Sequence, residues 1–189
     1  MAVNIPPIET AAERLYNGEE ALALGDIGPY ELIEGRIVRM SPTKPRHGNY
    51  EYRLAKALGD FVDKHRLGQV QVGEVGIYVR RNPDTVRAAD VLFISNERLA
   101  KASPDNFLDV APELVAEIVS PDDRWTEIRQ KIREYFSAGV AVVLVVDPSE
   151  RTAAVYHSPT NLREFAHTDI LTLEDVLPGF SLPVVELFS

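Results

Sequence analysis

Residues 89–95 read ADVLFIS, residues 113–120 read ELVAEIVS and residues 140–147 read VAVVLVVD. All three are short and nearly continuous apolar runs, a pattern typical of strands inside a sheet that is covered on both faces. Turn-forming or helical stretches separate the three runs. The sequence therefore predicts an α/β (α+β) protein in which helices pack on a mixed sheet.

Two acids stand out within these apolar runs, Asp90 in the first and Glu117 in the second. Carboxylates are rarely buried unless they are paired, hydrogen-bonded or bound to a metal. For each acid two interpretations stay open, a structural ion pair or solvent-exposed strand end, and a ligand in a functional site. We take Asp90 and Glu117 as candidates for a pair of metal-binding carboxylates.

The stretch WTEIRQKIREYFSAG (125–139) predicts a helix after the Glu117 strand, with Gly139 ending it. Ile128 and Tyr135 lie three and four residues from Lys131, so this lysine borders the apolar side of the helix. Its stem could run along that side with the amine in solvent, which is the common case. Alternatively, the helix returns the amine toward Glu117.

The N-terminal part of the chain predicts a short helix and a hairpin. Residues 1–27 indicate an amphipathic helix within AAERLYNGEEALAL (11–24), and YELIEGRIVRM (30–40) indicates two strands joined at Glu34-Gly35. We therefore expect an N-terminal helical extension over residues 1–29 and one domain over residues 30–189.

The remaining segments predict further elements around the core. Residues 48–68 have apolar residues at helical spacing, with Gly68 as the expected C-cap. QVQVGEVGIYVRR (69–81) alternates as a strand or hairpin does, and TAAVYH (152–157) predicts another strand. The apolar tail (171–188) could cover an edge of the sheet.

The formal net charge of the 189 residues is -9, and the charge is unevenly distributed. Residues 1–35 carry one base and seven acids, residues 36–101 carry thirteen bases and seven acids, and residues 102–189 carry six bases and fifteen acids. A basic middle is compatible with one phosphate-facing surface, because attraction depends on the local field. Basic loops without that role would give the same count. The total excludes only a generally basic protein that coats DNA.

The chain contains no cysteine, which excludes disulfides, thiolate metal sites and a cysteine nucleophile. This composition fits a reducing cytoplasm. No apolar run approaches the roughly 20 residues needed to cross a bilayer, and the first residues lack the layout of a signal peptide. We expect a cytoplasmic protein without a membrane partner.

Taken in order, several segments resemble the Uma-two family of restriction endonucleases, which is placed in the PD-(D/E)XK nuclease superfamily. The similar segments are YELIEGRIVRMSPTKPRHG (30–48), ADVLFIS, PELVAEIVSPDDR (112–124) and the run from Lys131 to Val140 that leads into VVDP. The resemblance covers residues 30–157 and extends into the tail. It implies a restriction-endonuclease-like core, a mixed β-sheet flanked by helices.

The resemblance also implies site residues. Asp90 matches the aspartate of the PD half of the motif, and Glu117 matches the acid of the (D/E)XK half. Val119 stands where the lysine is expected, and Lys131 stands where this family carries its lysine on the next helix. Ala89 replaces the proline. Glu34 and His47 match further polar positions of the family, and Glu127 stands where the family usually carries an aspartate four residues before the lysine; these three are additional site candidates.

These residue types suit phosphodiester hydrolysis. A hard cation polarises the phosphate and lowers the pKa of the attacking water, and Mg²⁺ is commonly held by one or two carboxylates. We expect Mg²⁺, or Mn²⁺, on Asp90 and Glu117, with Lys131 orienting the water or stabilising charge on the phosphate. The basic residues expected to contact the DNA backbone are Arg36, Arg39, Lys44, Arg46, Arg80, Arg81 and Arg87.

The expected function is a metal-dependent endodeoxyribonuclease, and a homodimer would allow it to cut both strands. One alternative is a catalytically inactive nuclease-fold module that binds nucleic acid or protein, and another is hydrolysis of a small phosphoester. An enzyme requires Asp90 and Glu117 to face one spot with Lys131 beside them. Diverging carboxylates, or Lys131 in solvent, would favour the binding module.

Overall fold

The centre of the fold is an eight-stranded mixed sheet, and the computed structural model describes residues 14–189. The elements in chain order are α1 (Gly18–Leu22), β1 (Tyr30–Ile33), β2 (Arg36–Arg39), α2 (Pro45–His65), β3 (Gly68–Arg80), β4 (Thr85–Ser95), α3 (Asn96–Leu99), β5 (Leu114–Ile118), α4 (Trp125–Ala138), β6 (Val142–Asp147), β7 (Thr152–Ser158), β8 (Asn161–Phe165), β9 (Ile170–Leu173), β10 (Leu177–Pro183) and α5 (Val184–Leu187).

The three apolar runs form β4, β5 and β6, which are neighbours in the strand order β2-β1-β4-β5-β6-β7-β8. β5 and β6 are parallel, whereas the other pairs in this sheet are antiparallel. Both faces of β5 and β6 are buried, which is why their sequences are continuously apolar. The predicted mixed sheet flanked by helices is confirmed.

Strand β4 has one edge that pairs along its length with two register irregularities, and one interrupted edge. β3 pairs with β4 from Arg80 to Gly68, whereas the opposite edge pairs with β1 at Val86 and with β5 only at residues 91–93. Neither β1 nor β5 pairs with residues 87–90 of β4. We call this interruption, where β1 and β5 separate along β4, the seam.

Helices cover the two faces of the sheet. The buried side of α2, with Leu54 and Leu58, packs on one face together with the β9–β10 ribbon and α5. The buried side of α4, with Ile132 and Tyr135, packs on the other face. Alternate residues of β5 divide between the two cores, so Glu117 lies on the same face as α4.

The ends of α2 and β3 differ from the prediction. α2 ends at His65, and Arg66 rather than Gly68 adopts the left-handed conformation, with φ of 55°. Gly68 instead begins β3, where an added Cβ would lie 2.1 Å from the carbonyl oxygen of Ile94. Glycine is needed there for close backbone approach to β4, not for a helix cap.

The N-terminal helix is shorter than predicted in the described part of the chain. Residues 11–13 of its predicted range lie outside the described residues, and α1 begins only after Asn17. Asn17 Oδ1 accepts a hydrogen bond from Glu20 N at 2.8 Å, and Glu20 accepts one from Asn17 N at 3.0 Å. This reciprocal cap starts the helix locally.

The tail forms its own two-stranded sheet and does not cover an edge of the main sheet. Leu171, Leu177 and Leu187 are fully buried in the core that α2 shares with the sheet. The tail therefore completes the core on the α2 face. None of the helices in residues 14–189 is long and apolar enough to span a membrane.

Candidate active site

A cavity of about 460 Å³ opens at the seam, and Asp90, Glu117, Lys131, His47 and Glu127 all line it. We call it the main cavity. Seven carboxylates and three lysine or arginine residues contribute to its lining. The main cavity therefore has a negative field, which attracts a cation and opposes entry of a bare phosphate.

Two residues of α4 hold Glu117. Lys131 Nζ donates to Glu117 Oε2 at 3.0 Å, and the hydroxyl of Tyr135 donates to Glu117 Oε1 at 2.5 Å. Lys131 and Tyr135 are one turn apart on the same helix face, so α4 presents both donors to the end of β5. Burial raises the pKa of Glu117 to about 7, opposed by Lys131 and reinforced by the charge of Asp90.

Asp90 joins the end of β5 to the start of α2. Its Oδ2 accepts a hydrogen bond from Ile118 N at 2.7 Å and lies 3.4 Å from His47 Nε2. The other ring nitrogen of His47 lies 3.0 Å from Ser120 Oγ. The hydrogen bond to Asp90 raises the pKa of His47. His47 thus lies in the wall of the main cavity and orients Asp90.

Lys131 faces carboxylates and not solvent. Its Nζ lies 3.0 Å from Glu117 Oε2 and 3.1 Å from Glu31 Oε1, and only 21% of its side chain is exposed. Burial alone would lower the pKa of Lys131, but Glu117 and Glu31 outweigh burial and raise it. The lysine is therefore a fixed cation at the floor of the main cavity.

Sequence reasoning missed Glu31, which lies in β1 and lines the main cavity. Glu31 is buried and accepts hydrogen bonds from Arg87 at 2.7 Å and from Ala88 N at 3.2 Å, across the seam. The signal was present, because Glu31 stands between Tyr30 and Leu32 in an apolar strand. The reasoning that identified Asp90 and Glu117 applies equally to Glu31.

Glu34, which we expected near the site, lies elsewhere. It occupies the β1–β2 turn with φ of 51°, is 63% exposed, and pairs with Arg80 at 2.9 Å. It does not line the main cavity. The turn directs this side chain outward, so the hairpin contributes Glu31 to the cavity in its place. Glu127 lies exposed at the rim, near the start of α4.

Arg87 cannot serve as a surface contact for DNA, contrary to our expectation. Its guanidinium is 7% exposed and pairs with Glu31 at 2.7 Å and with Glu134 at 2.6 Å. Arg87 alternates inward along β4, where it neutralises buried carboxylates. It is a structural part of the cavity floor.

The other expected phosphate-contacting residues lie at different distances from the cavity. Arg39 and Lys44 line it, and Lys44 pairs with Asp122 at 2.6 Å. Arg46 is exposed in the first turn of α2, and Arg36 is exposed on β2. Arg80 and Arg81 lie around the β3–β4 turn, paired with Glu34 and with Asp84 and Glu19.

The donor chemistry fits a hard divalent cation. Among residues 14–189, no three or more His, Asp or Glu side chains are grouped as a complete metal cage. Mg²⁺ does not need one, because it retains several waters and binds through one or two carboxylates. Burial together with the charge of Asp90 raises the pKa of both Glu51 and Glu74, so the site carries negative charge in excess of its bases. Of the carboxylates that line the main cavity, Asp90 and Glu117 are the two that could hold such an ion.

Comparison with known proteins places this architecture in a family. A family model described as "Putative restriction endonuclease" matches residues 19–185. The crystal structure of a "putative nuclease" from Anabaena variabilis is similar, with a TM-score of 0.76, 20% identity, and coverage of 91% of this chain and 97% of that chain. This second likeness concerns the fold. No curated protein matches the sequence. Because the family model spans most of its length, the chain belongs to the Uma2 (Uma-two) family of restriction endonuclease-like proteins.

Proposed function

We propose that this chain is a Mg²⁺-dependent endonuclease that hydrolyses phosphodiester bonds in DNA, with Mn²⁺ as a substitute ion. The observation that carries the proposal is the convergence of Asp90, Glu117 and Lys131 on one cavity. These residues come from β4, β5 and α4, and the seam brings them together. Membership of a family described as restriction endonucleases supports the same reaction class.

Each residue has a role that follows from its contacts. A divalent ion bound by Asp90 and Glu117 supplies polarisation of the phosphate and a more acidic water. Lys131, fixed between two carboxylates, donates a hydrogen bond to the attacking water or to the charge that develops on the phosphate. Tyr135 holds Glu117 in place, and His47 holds Asp90.

The inactive binding module is the alternative that the geometry disfavours. That alternative needs carboxylates that diverge, or Lys131 in solvent. Lys131 is instead directed to Glu117, and the pKa of Glu117 is raised first by burial and further by the charge of Asp90. Charged residues that served only to stabilise the fold would not have to surround a solvent-open cavity of this size. Arg39 and Lys44 at the cavity supply cations for a nucleic-acid backbone.

The proposal is tested by cleavage of plasmid and single-stranded DNA with and without Mg²⁺. Asp90→Asn and Glu117→Gln should each lower the cleavage rate by at least about a hundredfold, since each removes a charged ligand. Glu34→Gln is the matched control, because Glu34 is an exposed acid outside the cavity, and it should cut as wild type does. Wild-type cleavage by either site variant would overturn the catalytic assignment.

Two active sites in one assembly would allow both strands to be cut together, and we propose a homodimer as their source. Most apolar side chains of the tail are buried within the chain, whereas Ile170 and Val185 are exposed. Light scattering on the purified protein, with and without duplex DNA, tests the assembly. A monomer that nicks one strand of a plasmid without linearising it would contradict the homodimer and leave the nuclease proposal in place.

A further inference from the structure

A second cavity, of about 470 Å³, lies beside the main cavity, and we call it the side cavity. The two cavities share Lys44, His47 and Ser120 in their linings. The hydrogen bond between His47 Nδ1 and Ser120 Oγ, 3.0 Å long, belongs to this common wall. The two cavities therefore adjoin each other along these three residues.

The chemistry of the side cavity differs from that of its neighbour. The main cavity is acidic, whereas apolar and flat side chains dominate the lining of the side cavity. Tyr50 contributes a phenol ring and Val119 an aliphatic side chain, and three prolines contribute flat apolar surfaces: Pro45, Pro121 and Pro148. Such a lining suits a planar, largely apolar ring and not a hydrated ion.

We propose that the side cavity binds one unstacked nucleobase of the DNA strand whose phosphate lies in the main cavity. This inference rests on the proposed nuclease function and adds a base-binding site to it. The cavity volume lies within the usual range of about 300–1,000 Å³ for small-molecule sites. Enzymes that take a base out of the stack hold it between aromatic and apolar side chains.

Charge at the mouth of the side cavity fits a nucleotide. Lys44 belongs to both cavities and Arg46 lies in the lining of the side cavity, so cations flank the path of the strand. Phosphate contacts of this kind position the strand, and the apolar interior then receives the base. A free apolar ligand would have no use for the two cations.

The side cavity also offers a fixed polar group for the edge of a base. Asp147 Oδ1 accepts hydrogen bonds from Ser149 N at 2.8 Å, from Ser149 Oγ at 2.6 Å and from Glu150 N at 3.3 Å. These three donors fix the carboxylate of a residue that is 7% exposed and lines the cavity. A few placed polar groups in an apolar site are what orient a ligand.

Binding measurements in a cleavage-deficient background test the inference without requiring catalysis. In the Glu117→Gln protein, fluorescence anisotropy should compare a short single-stranded DNA with an abasic strand of the same length. A base that stacks in a site contributes about 1–3 kcal/mol, so the base-bearing strand should bind at least about fivefold more tightly. We call the affinity for the base-bearing strand divided by the affinity for the abasic strand the affinity ratio. Tyr50→Ala should bring this ratio most of the way to 1, and Tyr50→Phe should retain it.

The matched control is Tyr52→Ala, because Tyr52 is on the same helix, exposed, and outside the lining of the side cavity. It should leave the ratio unchanged. Equal ratios for Tyr50→Ala and its parent, or equal losses for Tyr50→Ala and Tyr52→Ala, would overturn the inference.

Tyr50→Ala also removes a packing contact, because the Tyr50 ring contacts the Phe188 ring at a centroid distance of 5.8 Å. A second variant therefore tests the side cavity without changing Tyr50. Ser149→Trp should obstruct the side cavity from its exposed rim and lower the ratio. Ser103→Trp is its control, since both serines are exposed and bond to a nearby aspartate.

The two proposals fail separately. If the wild-type protein cuts DNA but neither the Tyr50 variant nor the Ser149 variant changes the affinity ratio, the base site alone is overturned. Protein that never cuts DNA, but whose ratio depends on Tyr50 and Ser149, would overturn the nuclease and support the base site.

Discussion

Glu31 is the residue on which the buried charges of the site depend. It contacts Lys131 at 3.1 Å and Arg87 at 2.7 Å, and Arg87 in turn contacts Glu134 at 2.6 Å. Burial by itself raises the pKa of Glu31, but the charges of Lys131 and Arg87 outweigh burial and lower it. Glu31 therefore stays ionised and keeps Lys131 charged and in place.

The first prediction concerns Glu31→Gln. Removing one partner of a buried ion pair typically costs about 3–5 kcal/mol, and we expect a free energy of unfolding lower by roughly that amount at neutral pH. The folded pKa lies below the ordinary value of 4.5, so ionised Glu31 stabilises the fold fully above pH 4.5. This contribution is lost as the pH falls through the lowered pKa.

Urea denaturation of wild type and Glu31→Gln from neutral to acid pH checks this prediction. The difference in unfolding free energy should be constant above about pH 4.5 and should shrink below it. Glu134→Gln, whose carboxyl group is 24% exposed, is the control and should cost less. A difference that stays constant far into the acid range would contradict the assignment of Glu31 as an ionised partner.

The second prediction concerns Tyr135→Phe. This change removes the hydroxyl that donates to Glu117 Oε1 and leaves the fully buried ring. Residues that orient a metal ligand typically change affinity or activity about 10- to 100-fold, so the Mg²⁺ concentration for half-maximal cleavage should rise within that range. Titration of the cleavage rate with Mg²⁺ measures it. An unchanged Mg²⁺ dependence would show that Glu117 needs no support from Tyr135.

Which site residues could be predicted depended on local sequence context. Asp90 and Glu117 stand in strands so apolar that a charge there indicates a specific partner, and Lys131 borders the apolar side of a recognisable helix. Glu34 was selected and Glu31 was not considered, because the sequence does not show which hairpin residues point inward. The single β1–β4 pair, Leu32 with Val86, fixes that register, and residues so far apart in sequence do not reveal it.

At the scale of elements, glycines show where backbone packing governs stability. Gly59 lies inside α2, and nothing lies within 4 Å of an added Cβ there. At Gly68 the added Cβ would lie 2.1 Å from the Ile94 carbonyl oxygen and 2.7 Å from Ser95 Cα. The same substitution therefore acts on a helix interior in one case and on a backbone contact in the other.

The third prediction is that Gly59→Ala and Gly68→Ala have effects of opposite sign. Alanine in the interior of a helix is better than glycine by about 0.5–1 kcal/mol, so Gly59→Ala should raise the free energy of unfolding. Forcing atoms into filled space typically costs about 1–3 kcal/mol, so Gly68→Ala should lower it. Chemical denaturation of the two variants measures both signs, and stabilisation by Gly68→Ala would contradict the described contact between β3 and β4.

The elements themselves were more predictable than their ends. β4, β5 and β6 followed from continuous apolar sequence, and α4 followed from apolar spacing and from Gly139, which adopts φ of 98° just after the helix. The end of α2 was misplaced because Arg66 adopts a left-handed conformation that glycine usually takes. The glycine two residues later was required by a neighbouring strand, which local sequence does not show.

At the scale of the whole molecule, the net charge is negative, but acidic and basic side chains are grouped separately. The main cavity has seven carboxylates in its lining, while Arg39 and Lys44 supply cations beside them. A bare phosphate is therefore repelled from the carboxylates and attracted to these two cations. A divalent ion at the proposed site would offset the repulsion, so DNA affinity should depend on divalent metal more strongly than the net charge of -9 suggests.

The fourth prediction concerns Lys44→Ala. Loss of one phosphate contact should weaken DNA binding across sequences and reduce the slope of log affinity against log salt by about 1. Lys56→Ala is the control, because Lys56 is an exposed lysine on α2 outside the main cavity. Anisotropy at several salt concentrations with Ca²⁺ present measures both slopes. Identical slopes for the two variants would remove Lys44 from the DNA-contacting surface.

The seam has a consequence for when the candidate site can form during synthesis on the ribosome. Glu31, His47 and Asp90 precede the α3 region, whereas Glu117, Lys131 and Tyr135 follow it. Neither half of the chain carries both carboxylates, and they meet only after β5 has inserted beside β4. A nascent chain that has emerged only as far as α3 cannot hold the complete site. Under the proposed nuclease function, a partly synthesised chain of this length would therefore lack the site needed to cleave DNA.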